Sequence, residues 1–375
     1  MASTEVLSGL ELIKWKRDFM RETTRDSGFE PYMGSSVNDI ISVKNDLDTD
    51  GYTIRIPLMK QLKGAGVSGS QRLSGNEEKL NQFYQDITWE FQRHAVEIDK
   101  SEREKSAPDL LAAVRPQLTD WASEKIKYQI TDTFHKIDGT AYTSASAASR
   151  NTWVTNNSDR VLFGAAVSNY STTHATALGN VDSTNDKLSV TISSLARRLA
   201  RKARPRIRPF KNGTQGREFF VMFCHPLCFR DLKESSAMTQ ANREARARDV
   251  NSNPLFQDGD LIYDGVIFRE IPEFHQPLNP DDTVNTETTL EGVGASNIDV
   301  APNFLCGAQA IGYARKQNPR PTVKKDDDYD FVKGMGVEMA HGIEKMTWNH
   351  AANSTTDPRK DVGIFTVYCS AVADA

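Results

Sequence analysis

The feature that most constrains the fold is a long polar segment, residues 59–85, between two stretches with strand character. Residues 53–58 alternate apolar and polar side chains, and residues 86–98 begin with the same alternation. Compact domains rarely contain an unstructured loop longer than about 12–15 residues. We therefore expect a long hairpin whose Gly-rich tip finds its packing partner on another chain. The tip residues predicted at this contact are Lys60, Lys63, Gly64, Gly66, Gly69, Arg72, Glu77 and Glu78.

A long helix is predicted over residues 109–137, where apolar side chains recur at three- and four-residue steps. At 1.5 Å per residue it would span roughly 43 Å, and Pro116 predicts a kink near its start. A second helix is predicted over 188–203, and its C-terminal half is basic. The Ser/Thr-rich stretch 139–187 between them is predicted as an irregular connection.

Short strands and turns dominate from residue 218 onward. Strands are predicted at 219–224, 330–346 and 361–373, and a strand or short helix at 303–314. Residues 261–271 carry Asp-Gly between apolar runs, which is the strongest short hairpin signal. The predicted class is therefore α+β, without a repeating βαβ pattern.

A run of positive charge is the most distinctive charged feature. Residues 197–211 contain eight lysines and arginines and no acid, whereas the whole chain has a net charge of −4. Phosphate neutralisation is one interpretation, and a solvated helix face or pairing with an acidic segment such as 324–330 is another. Few aromatic residues interleave with the arginines, which favours protein pairing over direct DNA contact. The predicted contact residues are Arg197, Arg198, Arg201, Lys202, Arg204, Arg206 and Arg208.

Two short motifs resemble ligand sites but lack their required context. Residues 46–51 read D-x-D-x-D-G, yet Pro57 stands where an EF-hand needs its bidentate Glu. Residues 64–69 fit G-x-G-x-x-G, yet no apolar helix follows them. A turn and a flexible hairpin tip are the better interpretations.

Cys224, His225 and Cys228 lie close enough in sequence to suggest a metal, but no second ligand pair follows. We expect core and strand-end roles for them, with no metal, cofactor or catalytic constellation.

Composition limits the broad class. With 375 residues and 38% hydrophobic content, the chain suits two or three substructures with a real core. Four cysteines make no disulfide framework at this length. No window approaches the roughly 18 apolar residues that a membrane helix needs, and residues 1–19 do not form a signal peptide. A soluble cytoplasmic protein is expected.

The order of these parts resembles the major capsid proteins of tailed bacteriophages, which have the Hong Kong 97-type shell fold. An arm, a long two-stranded loop, a strut helix and a domain with late returning strands follow one another, and the segments that carry the resemblance are spread from about residue 40 to the C-terminus. Pro116 and the Ser/Thr-rich stretch near 169–180 depart from the pattern. The segments that carry the resemblance are GYTIRIPLMKQLKGAGVSG, EEKLNQFYQDITWEFQRHAVEI, LTDWASEKI, SDRVLFG, PRIRPFKNG, EFFVMFCHP, NPLFQDGDLIYDGVIFREIPE, NFLCGAQAIGYARKQ and DVGIFTVYCSAV.

The resemblance implies a division of the chain. Its parts would be an N-terminal arm (1–48), the extended loop with its flanking strands (49–98), a peripheral domain with spine helix and irregular connection (99–186), an axial domain (187–320), returning peripheral strands (321–352) and a C-terminal strand (353–375).

The function implied is mechanical and not enzymatic. Copies would assemble as hexamers and pentamers into an icosahedral shell around packaged double-stranded DNA, held without sequence specificity. Scaffolding and portal proteins are implied as partners, a decoration protein is left open, and no membrane is involved. The implied location is the virion capsid, assembled in the bacterial host cytoplasm.

Two other functions remain open from the residues alone. One is the shell of a bacterial cargo-enclosing nanocompartment of the same fold. The other is a DNA-binding protein that acts through residues 197–211.

Overall fold

The computed structural model describes residues 28–44, 51–62, 64–80, 82–105, 110–212, 217–245, 261–275, 289–324, 331–348 and 358–373. Most of the predicted N-terminal arm, the aspartates of the 46–51 motif and the acidic segment 325–330 lie outside these residues.

The structure mixes helices and sheets, which confirms the predicted α+β class. The helices are α1 (Lys100–Lys105), α2 (Leu110–His135), α3 (Ala147–Asn156), α4 (His174–Gly179), α5 (Val190–Lys202), α6 (Pro226–Glu234) and α7 (Ser236–Ala245). The strands are β1 (Met33–Gly34), β2 (Ile41–Lys44), β3 (Thr53–Met59), β4 (Gln82–Thr88), β5 (Glu90–Asp99), β6 (Val161–Phe163), β7 (Phe210–Asn212), β8 (Arg217–Cys224), β9 (Leu261–Tyr263), β10 (Val266–Glu270), β11 (Val300–Cys306), β12 (Ile311–Val323), β13 (Val332–Lys345), β14 (Thr347–Trp348), β15 (Lys360–Asp361) and β16 (Ile364–Ser370).

The chain forms two compact units. Unit 1 contains the described residues of Phe91–Glu124 and Gln317–Ala340, and unit 2 contains those of Ser27–Glu90, Lys125–Lys316 and His341–Ala375. The domain boundaries that the resemblance implies stay a prediction.

The long helix forms where its periodicity predicts. Leu110–His135 lies within the predicted 109–137 and contains Pro116 in its first third. Val114 and Leu118 are buried in unit 1, and Ile130 and Phe134 are buried in unit 2, at the three- and four-residue steps read from the sequence.

Unit 2 is built on a seven-stranded mixed sheet of order β6-β16-β11-β8-β10-β9, with β7 paired to β8. All residues of β11 and β16 are buried, because both faces of the sheet are covered. On one face, Phe220 and Phe365 pack with α5 and α6. On the other, Phe223 and Phe304 pack with Phe134 of α2. A further cluster packs α3 and α4 against the same sheet.

Two predicted single elements are each two strands. Residues 86–98 divide at Trp89 into two strands. The Trp89 backbone N–H donates to the Tyr52 carbonyl, and its indole N–H donates to the Gly51 carbonyl. Before Trp89, β4 pairs with β3; after it, β5 joins the five-stranded sheet β1-β2-β12-β13-β5. Residues 303–314 divide at a turn, so β11 and β12 enter different sheets. A Cβ at Gly307 would lie 2.1 Å from the carbonyl oxygen of Arg208, so the turn needs glycine.

One further expectation needs correction. The stretch 139–187 is not irregular, since it contains α3, β6 and α4, and Ser146 caps α3 by accepting from Ser149 N–H. Within the predicted α+β class a few strands also pair in parallel: β10 with β8, and β6 with β16. The Ser/Thr-rich composition of 139–187 shows no clear helix or strand period, because these short elements bury only a few apolar residues against the sheet.

The hairpin predicted over 261–271 is confirmed. Its strands β9 and β10 are antiparallel, and Asp264 and Gly265 occupy the turn with φ of 46° and 68°. Positive φ at both central residues is what a two-residue hairpin turn requires.

Candidate interaction surfaces

The base of the long hairpin is a regular two-stranded sheet. Residues of β3 and β4 pair from Thr53 with Thr88 to Met59 with Gln82. The inward face of β3 consists of Ile54, Ile56 and Leu58, as the alternation predicts. These side chains pack with Phe83 and Ile87 of β4 and with the cluster Ala314, Met346, Trp348 and Val362.

Gln85 fixes this base to the returning strands. Its side chain is fully buried, its amide nitrogen donates to the Lys345 carbonyl at 2.7 Å, and its amide oxygen accepts from Thr347 N–H at 2.6 Å. A buried amide that satisfies two backbone groups holds one register only. The hairpin therefore leaves the body of unit 2 from a fixed position.

The outward face of the hairpin base is polar. Arg55 makes two hydrogen bonds to the Asp86 carboxylate, at 2.7 and 2.8 Å, and its guanidinium lies 4.0 Å from the Tyr84 ring centre. Exposed ion pairs of this kind stabilise a fold little, so the apolar face is what anchors the hairpin.

The hairpin tip exposes apolar side chains that have no packing partner on their own loop. Met59, Leu62, Leu73 and Leu80 are 64%, 57%, 60% and 49% exposed. All described residues of 61–80 are exposed except Val67, which is half-buried. An apolar patch of this kind is typical of a contact with another protein.

The predicted tip residues shape this loop locally. Glu78 accepts from Gly64 N–H, Glu77 accepts from Gly75 N–H, and the Arg72 carbonyl accepts from the Asn76 side chain. Gly66 and Gly69 have φ of 70° and 65°, which glycine adopts without strain, and Lys60 lies over the Phe83 ring. Lys63 lies outside the described residues. The apolar tip residues were missed because their sequence spacing has no strand or helix period.

The basic segment is divided by the structure into paired and exposed cations. Arg197 pairs with Asp264 at 2.6 Å, and Arg201 lies 3.7 Å from Glu218. The acidic segment proposed as partner from the sequence lies largely outside the described residues. The remaining predicted cations are exposed and form no ion pair with any described residue: Arg198, Lys202, Arg204, Arg206 and Arg208.

A buried polar network holds the chain that follows α5. Arg160 is 1% exposed and donates to the carbonyls of Pro205, Asp361 and Val362. Burial lowers the pKa of Arg160, and the neighbouring carboxylates of Asp159 and Asp361 oppose that shift. No sequence pattern marks Arg160, since its three acceptors lie 45, 201 and 202 residues away.

The cysteine–histidine group lies in the core and at the start of α6. Cys224 and Cys228 are fully buried, and burial raises the pKa of the Cys228 thiol to about 12. His225 caps α6 by accepting from Leu227 N–H and contacts the Thr289 hydroxyl at 3.0 Å. Among the residues that the structure describes, no group of three or more His, Cys, Asp or Glu is placed to hold a metal.

Unit 1 carries an apolar groove of about 300 Å³ between α2 and strands β12 and β13. Leu118, Pro319, Pro321, Val323 and Met335 contribute to its lining, and Val323 is 72% exposed. The groove is a second candidate contact surface.

No helix in the described ranges is long and apolar enough to cross a membrane.

Comparison with known proteins gives consistent matches along the whole chain. The family described as "Phage capsid protein" matches residues 3–373. The major capsid protein of Pseudomonas phage KPP25 is 27% identical over 386 residues, which cover 95% of this chain and 94% of that protein.

Solved capsid structures share the fold. The cyanophage Pam1 capsid subunit has 34% identity and a TM-score of 0.86, and the Ralstonia phage GP4 capsid has 20% identity and a TM-score of 0.71, each with 100% of both chains covered. The Helicobacter pylori bacteriophage KHP30 capsid has 14% identity and a TM-score of 0.68 over 97% of both chains. The fold is therefore of the Hong Kong 97 type.

Proposed function

The chain belongs to the phage capsid protein family and is a major capsid protein, and on that premise we propose that its copies assemble as hexamers and pentamers into an icosahedral shell around the double-stranded DNA of a tailed phage. Closed shells of identical subunits need repeated, symmetric interfaces. The subunit belongs to the virion capsid, and we place its assembly in the bacterial host cytoplasm. We assign it no enzymatic activity.

One observation supports shell formation through the hairpin. The tip exposes Met59, Leu62, Leu73 and Leu80, while the base is fixed by Gln85 and a buried apolar face. A rigid base with an unpacked apolar tip suits a contact with a neighbouring copy. The predicted tip residues would then lie at the subunit interface, together with these four apolar side chains.

Other partners follow from the family and are proposals. Scaffolding and portal proteins would act during assembly, and a decoration protein is an open addition. The nanocompartment and the dedicated DNA-binding protein are not favoured, because the family and the relatives described above are phage capsid proteins. Encapsidated DNA, and not a packed enzyme, is expected inside native particles.

Removal of the tip tests the proposal. Deletion of residues 64–75 should leave the subunit folded, because hydrogen bonds of this segment stay within the tip. It should abolish shells in electron micrographs of protein expressed with its genomic neighbours, while circular dichroism and the melting temperature of the subunit stay close to those of the wild type.

A point variant with a matched control sharpens this test. Replacing Leu62, Leu73 and Leu80 with Ser should prevent shell formation, whereas replacing the exposed tip residues Ser68, Ser70 and Ser74 with Ala should not. Shells of normal size and yield from both the deletion and the leucine variant would show that the tip has no part in assembly.

A further inference from the structure

The cations of the basic segment fall into two sets. Arg197 and Arg201 are paired within the chain, with Asp264 and Glu218. The others keep their charge at the surface, exposed and without an ion pair to any described residue. We call these the exposed cation set: Arg198, Lys202, Arg204, Arg206 and Arg208.

The backbone beneath three of these cations is held in place. Arg204 N–H donates to the Asp159 carboxylate at 2.8 Å, and the Arg208 carbonyl accepts from Ala308 N–H at 2.8 Å. Lys360 also binds that Asp159 carboxylate, at 2.9 Å. Charges on a fixed backbone lose less conformational freedom when they bind.

The exposure pattern places the three arginines of 204–208 on one side. Arg204, Arg206 and Arg208 are exposed, whereas Ile207 is 2% exposed and belongs to the core beneath α5. Arg198 and Lys202 extend the positive surface along the last turns of α5. Residues 198–208 therefore carry the exposed cation set, while Ala200, Ala203 and Ile207 among them are buried.

The chemistry of this surface differs from that of the hairpin tip. Protein interfaces are enriched in aromatic side chains, Met and Arg and depleted of Lys, Glu and Asp, so arginines without large apolar neighbours are atypical of a protein interface. The tip has four exposed large apolar residues, and no large apolar side chain of residues 190–208 is strongly exposed. Nucleic-acid interfaces are polar and strongly positive, and one guanidinium group can donate two parallel hydrogen bonds to the oxygens of one phosphate.

We propose that the exposed cation set binds the sugar-phosphate backbone of the packaged duplex, without reading its sequence. The inference rests on the proposed function, because the shell supplies the DNA. The exposed cation set then contacts DNA and not a neighbouring subunit. Arg197 and Arg201, which are paired within the chain, take no part in the DNA contact.

The test is a charge-removal variant of the unassembled full-length subunit. Replacing Arg204, Arg206 and Arg208 with Gln should lower the affinity for a random-sequence duplex at least about tenfold at low salt. Each lost phosphate contact removes roughly 0.9 from the slope of log affinity against log salt, so the slope should fall by about 3.

Two control variants separate this effect from net charge and from misfolding. Replacing the exposed Arg93, Lys100 and Lys187 with Gln removes the same charge elsewhere and should leave the salt slope unchanged. Replacing Arg204, Arg206 and Arg208 with Lys keeps the charge and should retain most of the slope. Circular dichroism should match the wild type for both.

Two outcomes would overturn the inference. One is a wild-type subunit without salt-dependent affinity for the duplex. The other is a glutamine variant that binds the duplex as the wild type does but no longer forms shells, which would make the cation set a subunit contact. Shell formation is scored separately by electron microscopy, so failure of the wild type to form shells would count against the proposed function and not against the DNA measurement.

Discussion

At the scale of single residues, unit 2 contains ionisable groups that are buried together with their partners. Lys345 and Asp361 form a 2.7 Å ion pair with side chains 3% and 4% exposed, and Asp361 also accepts from the Trp153 indole. A buried charge is tolerated only when it is paired and hydrogen-bonded. Such groups fix which segments of the chain can be neighbours.

Several buried histidines add a dependence on pH. Burial lowers the pKa of His174 to about 4, of His225 to about 3 and of His341 to about 4. His174 lies among Tyr142, Tyr368 and Arg150, and the positive charge of Arg150 lowers its pKa further. The unfolded chain takes up protons near pH 6.5 and the folded chain does not. The stability that these groups contribute is therefore complete above pH 6.5 and decreases as the pH falls toward 4.

The change His174→Gln should flatten this decrease. The shift of its pKa corresponds to about 3 kcal/mol of unfolding free energy between pH 6.5 and pH 4, which the variant should no longer lose. Denaturant unfolding of the unassembled subunit at several pH values measures it, with the exposed His94→Gln as control. Parallel pH profiles for the wild type and His174→Gln would contradict the assignment.

At the scale of elements, the long hairpin combines a fixed base with a free tip. The base has an apolar inner face and the buried amide of Gln85, whereas the hydrogen bonds of Gly64, Gly75 and Asn76 end on other tip residues. A hairpin whose base is held in one register can present its tip to another molecule in a defined orientation.

The change Gln85→Leu should destabilise this attachment. It leaves the Lys345 carbonyl and Thr347 N–H buried without partners, and each such group costs about 1–3 kcal/mol. Gln82→Leu on the same strand is exposed and should change the unfolding free energy by less than about 0.5 kcal/mol. Denaturant midpoints compare the two variants, and amide hydrogen exchange should rise in β3 and β4 for Gln85→Leu alone. Equal midpoints would mean that Gln85 does not anchor the hairpin.

At the scale of the whole molecule, the subunit exposes an apolar surface that the proposed shell contact would cover. The apolar tip is solvent-exposed in one chain, and in the proposed shell a neighbouring copy would bury it. Burial of such a patch on assembly removes a surface that would otherwise favour non-specific aggregation.

Limited trypsin digestion should report this coverage. In unassembled subunits rapid cuts are expected after Arg72 and Lys79, which are exposed in the Gly-rich tip, while the buried Lys127 and Lys345 stay uncut. In assembled shells the same tip sites should be cut at least about tenfold more slowly. Equal rates at Arg72 and Lys79 in both states would mean that the tip stays exposed in the shell.

Local patterns of the sequence determined much of the fold. The stripe of α2, the inward face Ile54, Ile56 and Leu58, and the Asp264–Gly265 turn all lie where periodicity and turn chemistry predict. The ordered segments were sufficient to indicate the capsid family. The contact roles of the tip residues and of the basic segment stay predictions, because they concern other molecules.

Only the tertiary structure decided which polar groups are paired. Arg197 meets Asp264 from 67 residues away, and Gln85 meets Lys345 from 260 residues away. Helix and strand periods arise from neighbours within a few residues, so a single sequence displays them directly. Pairing between distant segments depends on which of them the core brings together. A single sequence therefore does not distinguish a buried, paired arginine or glutamine from an exposed one.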